Sequence, residues 1–285
     1  MKPLLRIPYT IAGRLTDALV RVVPPGKSKF HRALNSRRGL VERYQAWAAR
    51  SRDAARPLIW FHAPSVGEGL QAVPVIELVR ARRAPSPLVE RLRSARPTLV
   101  AGSTWPSDEE PLRDAWIRIR DKIPDARLII APHEISDAHV RSIESWARSH
   151  RLALARIDAP DAESADVILV DRYGVLGDLY AVADVAFVGG GFHSAGLHSI
   201  LEPAAFGAPV LFGPRHQKSR EAAKLIEAGG GAVVTGVADL TIRLRDWLGS
   251  PAARDVAGSS ARLMVQTSLG AAERSYDLVM ALLAQ

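Results

Sequence analysis

From residue 97 onward, short apolar runs alternate with longer amphipathic segments. Each run ends in a loop of small or polar residues, and the segment after it has helical spacing of its apolar positions. The predicted strands are 98–101, 127–131, 167–170, 185–188 and 210–212. The predicted helices are 108–123, 137–150, 175–183, 201–206, 219–228, 238–247 and 252–283. This alternation predicts an α/β fold, with a complete Rossmann-like domain and a doubly wound parallel sheet over residues 97–285.

The segment before residue 97 contains this strand–helix alternation only once. Residues 57–63 predict a buried strand, 64–69 a tight turn of small residues, and 70–83 a helix. Residues 84–96 are rich in Pro and Arg and predict a linker. Because one strand–helix unit leaves both strand edges unpaired, residues 27–96 are interpreted as a truncated domain.

Residues 1–26 have a different pattern, with apolar residues such as Leu4, Ile7 and Ile11 at helical spacing and charged residues opposite them. No apolar stretch is long enough to span a membrane. Two interpretations are open: a basic amphipathic helix lying in a membrane interface, or a helix packed on the protein's own core.

Composition narrows the classes of function. The 285 residues include no cysteine, which excludes a disulfide framework, a thiolate zinc site and a cysteine nucleophile. The formal net charge of +8 favours acidic partners, although Arg usage in a high-GC genome explains it equally well. No nucleic-acid recognition motif accompanies the charge, so no nucleic-acid partner is expected. No secretory signal is evident, which makes the cytoplasm the expected compartment.

Candidate chemistry lies in loops that follow the predicted strands, because carboxyl ends of parallel strands meet at one edge of a sheet. These loops are 103–104, 132–134, 173–176, and 189–191 continuing to 196–199. Glycine lets a backbone approach a phosphate, and helix N-termini present free N–H groups. The spacing fits a nucleotide-bound donor but neither the dinucleotide fingerprint nor the P-loop. The triple glycine could equally be a strand-to-loop turn, and His133 and His198 could be structural.

Glu68 lies in a glycine turn between a predicted strand and a predicted helix. A carboxylate there suits a general base, although a helix-start Glu is favoured by the same helix dipole. No His, Asp or Glu cluster has metal-ligand spacing, so no metal is expected.

Residues 59–68, I-W-F-H-A-P-S-V-G-E, resemble the opening strand and S-V-G-E loop of 3-deoxy-D-manno-octulosonic acid (Kdo) transferases. Further motifs of the same family follow in order: G-S-T-W at 102–105, A-P-H-E at 131–134, V-G-G-G-F at 188–192, G-L-H-S-I-L-E-P-A-A at 196–205 and P-V-L-F-G-P at 209–214. The G-S-T-W and P-H-E variants resemble the Bacteroidetes-type branch. The resemblance covers most of residues 35–235.

This resemblance implies a GT-B fold and transfer of Kdo from CMP-Kdo to a lipid A precursor in lipopolysaccharide core biosynthesis. It implies a peripheral or N-terminally anchored protein on the cytoplasmic face of the inner membrane, contacting anionic lipid through residues 1–26, and no cofactor. Glu68 would be the catalytic base. The residues that would bind substrate are Ser65, Gly67, Ser103, Thr104, Pro132, His133, Gly174, Val175, Leu176, Gly196, His198, Ser199 and Glu202.

Two departures from the family pattern leave alternatives open. Ser199 stands where the family usually has Asn, and several strand–helix units expected before G-S-T-W are missing, which indicates an internal deletion in the N-terminal domain. The chain is then a compact Kdo transferase, or a remnant that binds CMP-Kdo or membrane without transferring. A different GT-B sugar-nucleotide transferase is disfavoured because the motif blocks occur together.

Overall fold

The computed structural model describes residues 31, 38–52, 58–61, 72, 75, 76, 79, 86–268 and 270–283. The predicted helix over residues 1–26 lies outside the described residues, as do Ser65, Gly67 and Glu68. The chain divides into two compact units, Met1–Trp60 and Phe61–Gln285.

In the first unit, helix α1 (Leu40–Ser51) begins after Gly39, whose φ of 60° is readily adopted only by glycine. The Tyr44 and Trp60 rings meet edge to face, with centroids 5.3 Å apart. The strand predicted over 57–63 is wrong for the described residues 58–61, which adopt no regular structure. Leu58 and Trp60 are 54% and 62% exposed, and an apolar run that pairs with no neighbouring strand does not form a sheet.

The second unit is built on a seven-stranded sheet in the order β3-β4-β2-β1-β5-β6-β7, with every pairing parallel. The strands are β1 (Thr98–Thr104), β2 (Arg127–Pro132), β3 (Leu154–Arg156), β4 (Val167–Leu169), β5 (Val185–Val188), β6 (Val210–Phe212) and β7 (Gly231–Val233). The predicted doubly wound parallel sheet is confirmed. The edge strands β3 and β7 were not predicted, because Leu-Ala-Arg and Gly-Ala-Val do not form the continuous run of large apolar residues that marks β4 and β6.

The helices of this unit are α2 (Pro87–Leu92), α3 (Pro106–Arg120), α4 (Asp137–Ser149), α5 (Leu176–Leu179), α6 (Leu201–Phe206), α7 (Arg220–Glu227), α8 (Val237–Gly249), α9 (Pro251–Ser268) and α10 (Gly270–Leu283). Two predictions differ in detail. The helix predicted over 175–183 is one short α-helix followed by a 3-10 turn, Tyr180–Val182, and the helix predicted over 252–283 is two helices. No helix among the described residues combines the length and the apolar character needed to cross a bilayer.

Apolar side chains cover both faces of the sheet, which is why its strands are buried almost throughout. Helices α3, α4 and α8 contribute to one core layer, around Trp116 and Phe187. Helices α2, α6, α7 and α9 contribute to the layer on the other face, around Phe212 and Tyr180. The four described residues of the predicted helix 70–83 are helical, and one of them, Val75, packs in this second layer.

The linker predicted over 84–96 is wrong for its described part, because residues 87–92 form α2 and pack on the sheet. Ser86 caps the helix through Val89 N–H, and Pro87 starts it. Val89 and Leu92 are only 1% and 0% exposed. The Pro- and Arg-rich composition predicted a linker, although Val89 and Leu92 are buried in the core.

Hydrogen bonds from arginine side chains also hold this segment against the rest of the second unit. Arg91 donates to the carbonyls of Ile157 and Ala159, the latter at 2.9 Å. The fully buried Arg127 of β2 donates to Leu92 O at 2.7 Å and to Thr98 Oγ1 at 3.1 Å. Burial lowers the pKa of Arg127 to about 10, and the nearby charge of Arg96 adds to this effect.

Candidate functional site

The candidate site lies where the strand order reverses beside β1. From β1 the chain runs outward through β2 on one side, and it later returns as β5 on the other side. Loops at the carboxyl ends of β1 and β5 therefore flank a topological switch point, the usual ligand position in an open α/β sheet.

Aromatic and histidine rings from three loops stack at this point. Trp105 lies 4.0 Å from His193 and 4.5 Å from His133 between ring centroids, and His133 lies 4.4 Å from His198. Trp105 Nε1–H donates to His198 Nε2 at 3.3 Å. We call Trp105, His133, His193 and His198 the ring cluster; it joins the loops after β1, β2 and β5.

The environment of His198 disfavours the imidazolium. Burial lowers the pKa of His198, and the neighbouring His133 and His193 lower it further, while Asp108 opposes them. His198 is accordingly neutral at neutral pH, with Nε2 accepting from Trp105 and Nδ1 carrying the proton. A neutral ring with one N–H is suited to donating a hydrogen bond to an anionic oxygen.

We expect the pKa of His198 to lie below the ordinary value of about 6.5, as measured by NMR of the histidine-labelled protein. Because the folded pKa is below the unfolded one, the stabilisation by the neutral ring is fully present above about pH 6.5 and is lost as pH falls through the folded pKa. His133→Asn, which removes one imidazole neighbour, should raise the pKa of His198. A pKa of His198 at or above about 6.5 in the folded protein would contradict a neutral His198 at neutral pH.

Asp108 joins the loops after β1 and β5. Its buried carboxylate accepts from Trp105 N at 2.9 Å and Gly190 N at 2.7 Å through Oδ2, and from Phe192 N at 2.9 Å through Oδ1. Hydrogen bonds to a charged acceptor are stronger than neutral ones, and here they hold a glycine loop in place.

The triple glycine 189–191 is required by backbone crowding. A Cβ on Gly189 would lie 2.2 Å from Ser103 O, and one on Gly190, whose φ is 89°, would lie 2.1 Å from Gly196 O. The loop that contains Ser103 and the loop that contains Gly196 are thus held in backbone contact across the glycines. Gly196 also has a positive φ, but space is open beside it.

Thr104 and Pro132 present no side-chain polar group outward. Thr104 is buried and donates its hydroxyl to Glu109 Oε1 at 2.8 Å, and Pro132 is buried opposite it in the sheet. Glu109 is also buried and contacts His139 Nε2 at 2.9 Å and the guanidinium of Arg113. Both predicted residues shape the loop ends from within the fold, and their contact with a ligand stays a prediction.

The predicted residues of the 174–176 loop and of α6 lie around Tyr180. A Cβ on Gly102 would lie 2.1 Å from Tyr180 Oη and 2.9 Å from Leu176, so these groups pack on the end of β1. Burial raises the pKa of Tyr180, and the charge of Glu202 raises it further, which indicates that Glu202 faces this tyrosine. Gly174 and Ser199 are exposed, and Val175 is half-buried.

The structure thus brings together Ser103, His133, Gly196 and His198, with Leu176 and Glu202 around the neighbouring Tyr180. Sequence reasoning missed Asp108 and His193. For Asp108 the available signal was an acidic residue in the first turn after the G-S-T-W loop. In the part of the chain that the structure describes, no three His, Asp or Glu side chains form a group that could hold a metal ion.

Comparison with known proteins identifies a family model and relatives that match part of the chain. The family model described as 3-Deoxy-D-manno-octulosonic-acid transferase (kdotransferase) matches residues 33–99. The 3-deoxy-D-manno-octulosonic acid transferase of Aquifex aeolicus is 33% identical over 151 residues, which are 53% of this chain and 41% of the relative. That of Haemophilus influenzae is 28% identical over 65% of this chain and 44% of its own length. The chain therefore matches less than half the length of these relatives.

One solved structure resembles the second unit in fold. The C-terminal CMP-Kdo binding domain of WaaA from Acinetobacter baumannii superposes with a TM-score of 0.54 at 20% identity. The match covers 68% of this chain and 98% of that domain. The predicted GT-B-like C-terminal fold is confirmed.

Proposed function

Because this chain is related in sequence to the Kdo transferases, we propose that it transfers Kdo from CMP-Kdo to a lipid A precursor in lipopolysaccharide core biosynthesis. One observation carries the proposal: three loops that share motifs with the family converge at the switch point of a sheet resembling a CMP-Kdo binding domain. The convergence is specific, because Asp108 and the packed glycines fix the loops to one another.

In this proposal the loop around Gly196 binds the phosphate of the donor, with Leu197 N–H as the backbone donor, because the N–H groups of Gly196 and His198 already donate to His193 O and Gly189 O. Positive φ and open space at Gly196 allow a phosphate oxygen to approach the backbone. The Nδ1–H of neutral His198 donates to the same phosphate, and Glu202 accepts from the ribose hydroxyls. Ser103, His133 and the 174–176 loop complete the donor site.

For the transfer step, the oxygen of the acceptor hydroxyl attacks the anomeric carbon of Kdo, and Glu68 takes the proton of that hydroxyl. The bond between that carbon and the phosphate oxygen breaks, and CMP leaves with the electron pair. Charge developing on the leaving phosphate is stabilised by Leu197 N–H and by the ring N–H of His198. Ser65 and Gly67 would position the acceptor beside Glu68.

We further propose that the protein binds peripherally to the anionic cytoplasmic face of the inner membrane. The support is the formal net charge of +8 and the exposed side chains of Val41, Tyr44 and Trp47 on α1. Aromatic and apolar side chains with basic residues nearby are typical of interfacial contacts.

A second candidate is a remnant that binds CMP-Kdo or membrane without transferring. It is favoured by the direct passage from α2 into β1, which leaves no further strand–helix unit between residues 86 and 98. Under this candidate the donor site is retained, while the acceptor-side domain is too small to support catalysis.

A transfer assay separates the two candidates. The purified full chain is incubated with CMP-Kdo and lipid A precursor in vesicles, and CMP release and a Kdo-bearing lipid are measured together. The proposal expects both products in equal amounts. CMP-Kdo binding with no glycolipid formed would favour the remnant, and absence of donor binding would exclude the transferase and leave only a remnant that binds membrane.

A further inference from the structure

A cavity of about 810 Å³ lies at the N-terminal ends of α3 and α4. Trp105 and His193 line it and also belong to the ring cluster, whereas His133 and His198 do not line it. The cavity therefore adjoins the proposed donor site and shares one wall with it. Its volume is within the range of about 300–1,000 Å³ that is usual for small-molecule sites.

The charges that line the cavity disfavour an anionic ligand. The carboxylates of Glu110, Asp114 and Glu134 lie around it. Its one lining guanidinium, that of Arg113, is already paired with the buried Glu109. A phosphate or carboxylate placed here would meet an excess of negative charge, whereas hydroxyl groups could donate to these carboxylates.

Two indole rings give the cavity apolar surface. Trp105 lies at one part of the wall and Trp146 at another, with the guanidinium of Arg113 5.7 Å from the Trp146 ring centroid. Flat aromatic surface edged by carboxylates and hydroxyls suits a ligand with both C–H faces and hydroxyl groups.

Unpaired polar atoms point to the same ligand class. Ser107 Oγ, Arg113 Nε and Trp146 Nε1 are buried without a hydrogen-bond partner, and all three residues line the cavity. Buried polar groups in proteins are nearly always paired, so donors left without a protein partner in the cavity wall favour a ligand whose oxygen atoms accept from them after a small side-chain movement, since the three atoms are closed to solvent as the wall stands. Sugar hydroxyl and ring oxygens would accept from the indole and guanidinium N–H groups.

We propose that this cavity binds an uncharged saccharide, and that it holds the unphosphorylated part of the sugar acceptor. The second half of this statement rests on the proposed transferase function, while saccharide binding itself does not. The site places a sugar next to the donor loops with Trp105 and His193 between them. It also supplies acceptor contacts from the second unit.

The test is calorimetric titration of the full chain with N,N′-diacetylchitobiose, and with N-acetylglucosamine against N-acetylglucosamine 6-phosphate. We expect binding of the uncharged sugars, and binding of the phosphorylated one weaker by about tenfold because of the acidic lining. Trp146→Ala should weaken diacetylchitobiose binding by about tenfold through loss of the indole face. Glu110→Gln should weaken it severalfold, whereas Glu227→Gln, the same change on exposed α7, should not.

Titration with CMP on the same samples separates this inference from the proposed function. CMP binding without binding of the uncharged sugars would overturn the saccharide site and leave the donor site standing. Equal affinity for both forms of N-acetylglucosamine would overturn the ligand class. If Trp146→Ala fails to fold, as judged by circular dichroism, Trp146→Phe removes Nε1–H and part of the indole face but keeps one aromatic ring. It should weaken binding, and unchanged affinity would overturn the site.

Discussion

Glu68→Gln is expected to lower the rate of Kdo transfer by about 10²–10⁴-fold, the usual contribution of a general base. The amide is nearly the same size as the carboxylate but cannot take the proton from the acceptor hydroxyl. Because Glu68 lies in the S-V-G-E loop, whereas the donor loops follow β1, β2 and β5, CMP affinity should not change. The measurement is initial rate with saturating CMP-Kdo, together with calorimetric CMP binding.

Glu77→Gln is the matched control, because it makes the same change in charge nine positions further along the chain, within the predicted helix 70–83. It should leave the rate unchanged. A Glu68→Gln protein that transfers at the wild-type rate would remove Glu68 from the mechanism, whereas a parallel fall in CMP affinity would assign Glu68 to binding. A base role also predicts that the residual rate of the variant loses its dependence on the protonation of a carboxyl group.

Asp108→Asn is expected to weaken CMP binding by at least about tenfold and to lower the free energy of unfolding by about 3 kcal/mol. Asn offers one acceptor oxygen in place of two, so its NH₂ group would face one of the backbone N–H groups of Trp105, Gly190 or Phe192. Since Asp108 is buried, water cannot replace the lost acceptor. The change in unfolding free energy corresponds to a fall in Tm of about 10 °C for a unit of this size.

Asp125→Asn provides the control, because it makes the same substitution at an exposed position in the loop before β2. It should change neither Tm nor CMP affinity. The variant Asp108→Asn distinguishes a positioning residue from one that serves stability alone: loss of positioning moves CMP affinity even at temperatures well below Tm. Unchanged CMP affinity in a fully folded variant would restrict Asp108 to a structural role.

The sequence predicted the second unit well where apolar runs were long and separated by helices. The central strands β1, β2, β4, β5 and β6 are all at their predicted places because buried parallel strands are nearly continuously apolar. The same signal misled at the described residues 58–61, since an apolar run becomes a strand only when a neighbouring strand pairs with it. It also missed α2, because Pro and Arg are frequent in the surrounding residues 84–96, and the buried Val89 and Leu92 are too few to show a helical pattern.

The sequence predicted which loops form the candidate site, but not what each side chain in those loops contacts. Motif order placed His133 and His198 in one site, and their rings do stack. Whether a side chain faces the ligand or the interior depends on tertiary packing, so the inward donation of Thr104 to Glu109 could not be read from the chain. Asp108 acts through backbone N–H groups of a loop more than 80 residues away, which leaves no local pattern.

The attachment of α2 to the sheet sets where the second unit can be separated from the rest of the chain. A recombinant fragment beginning at residue 97, where the motif boundary suggests a cut, would remove Val89 and Leu92 from the core and take from Arg127 the carbonyl acceptor that Leu92 provides. A fragment beginning at Ser86 keeps the helix cap, both core side chains and the arginine contacts. The folding unit thus extends at least about a dozen residues upstream of its first strand, and limited proteolysis should spare that extension.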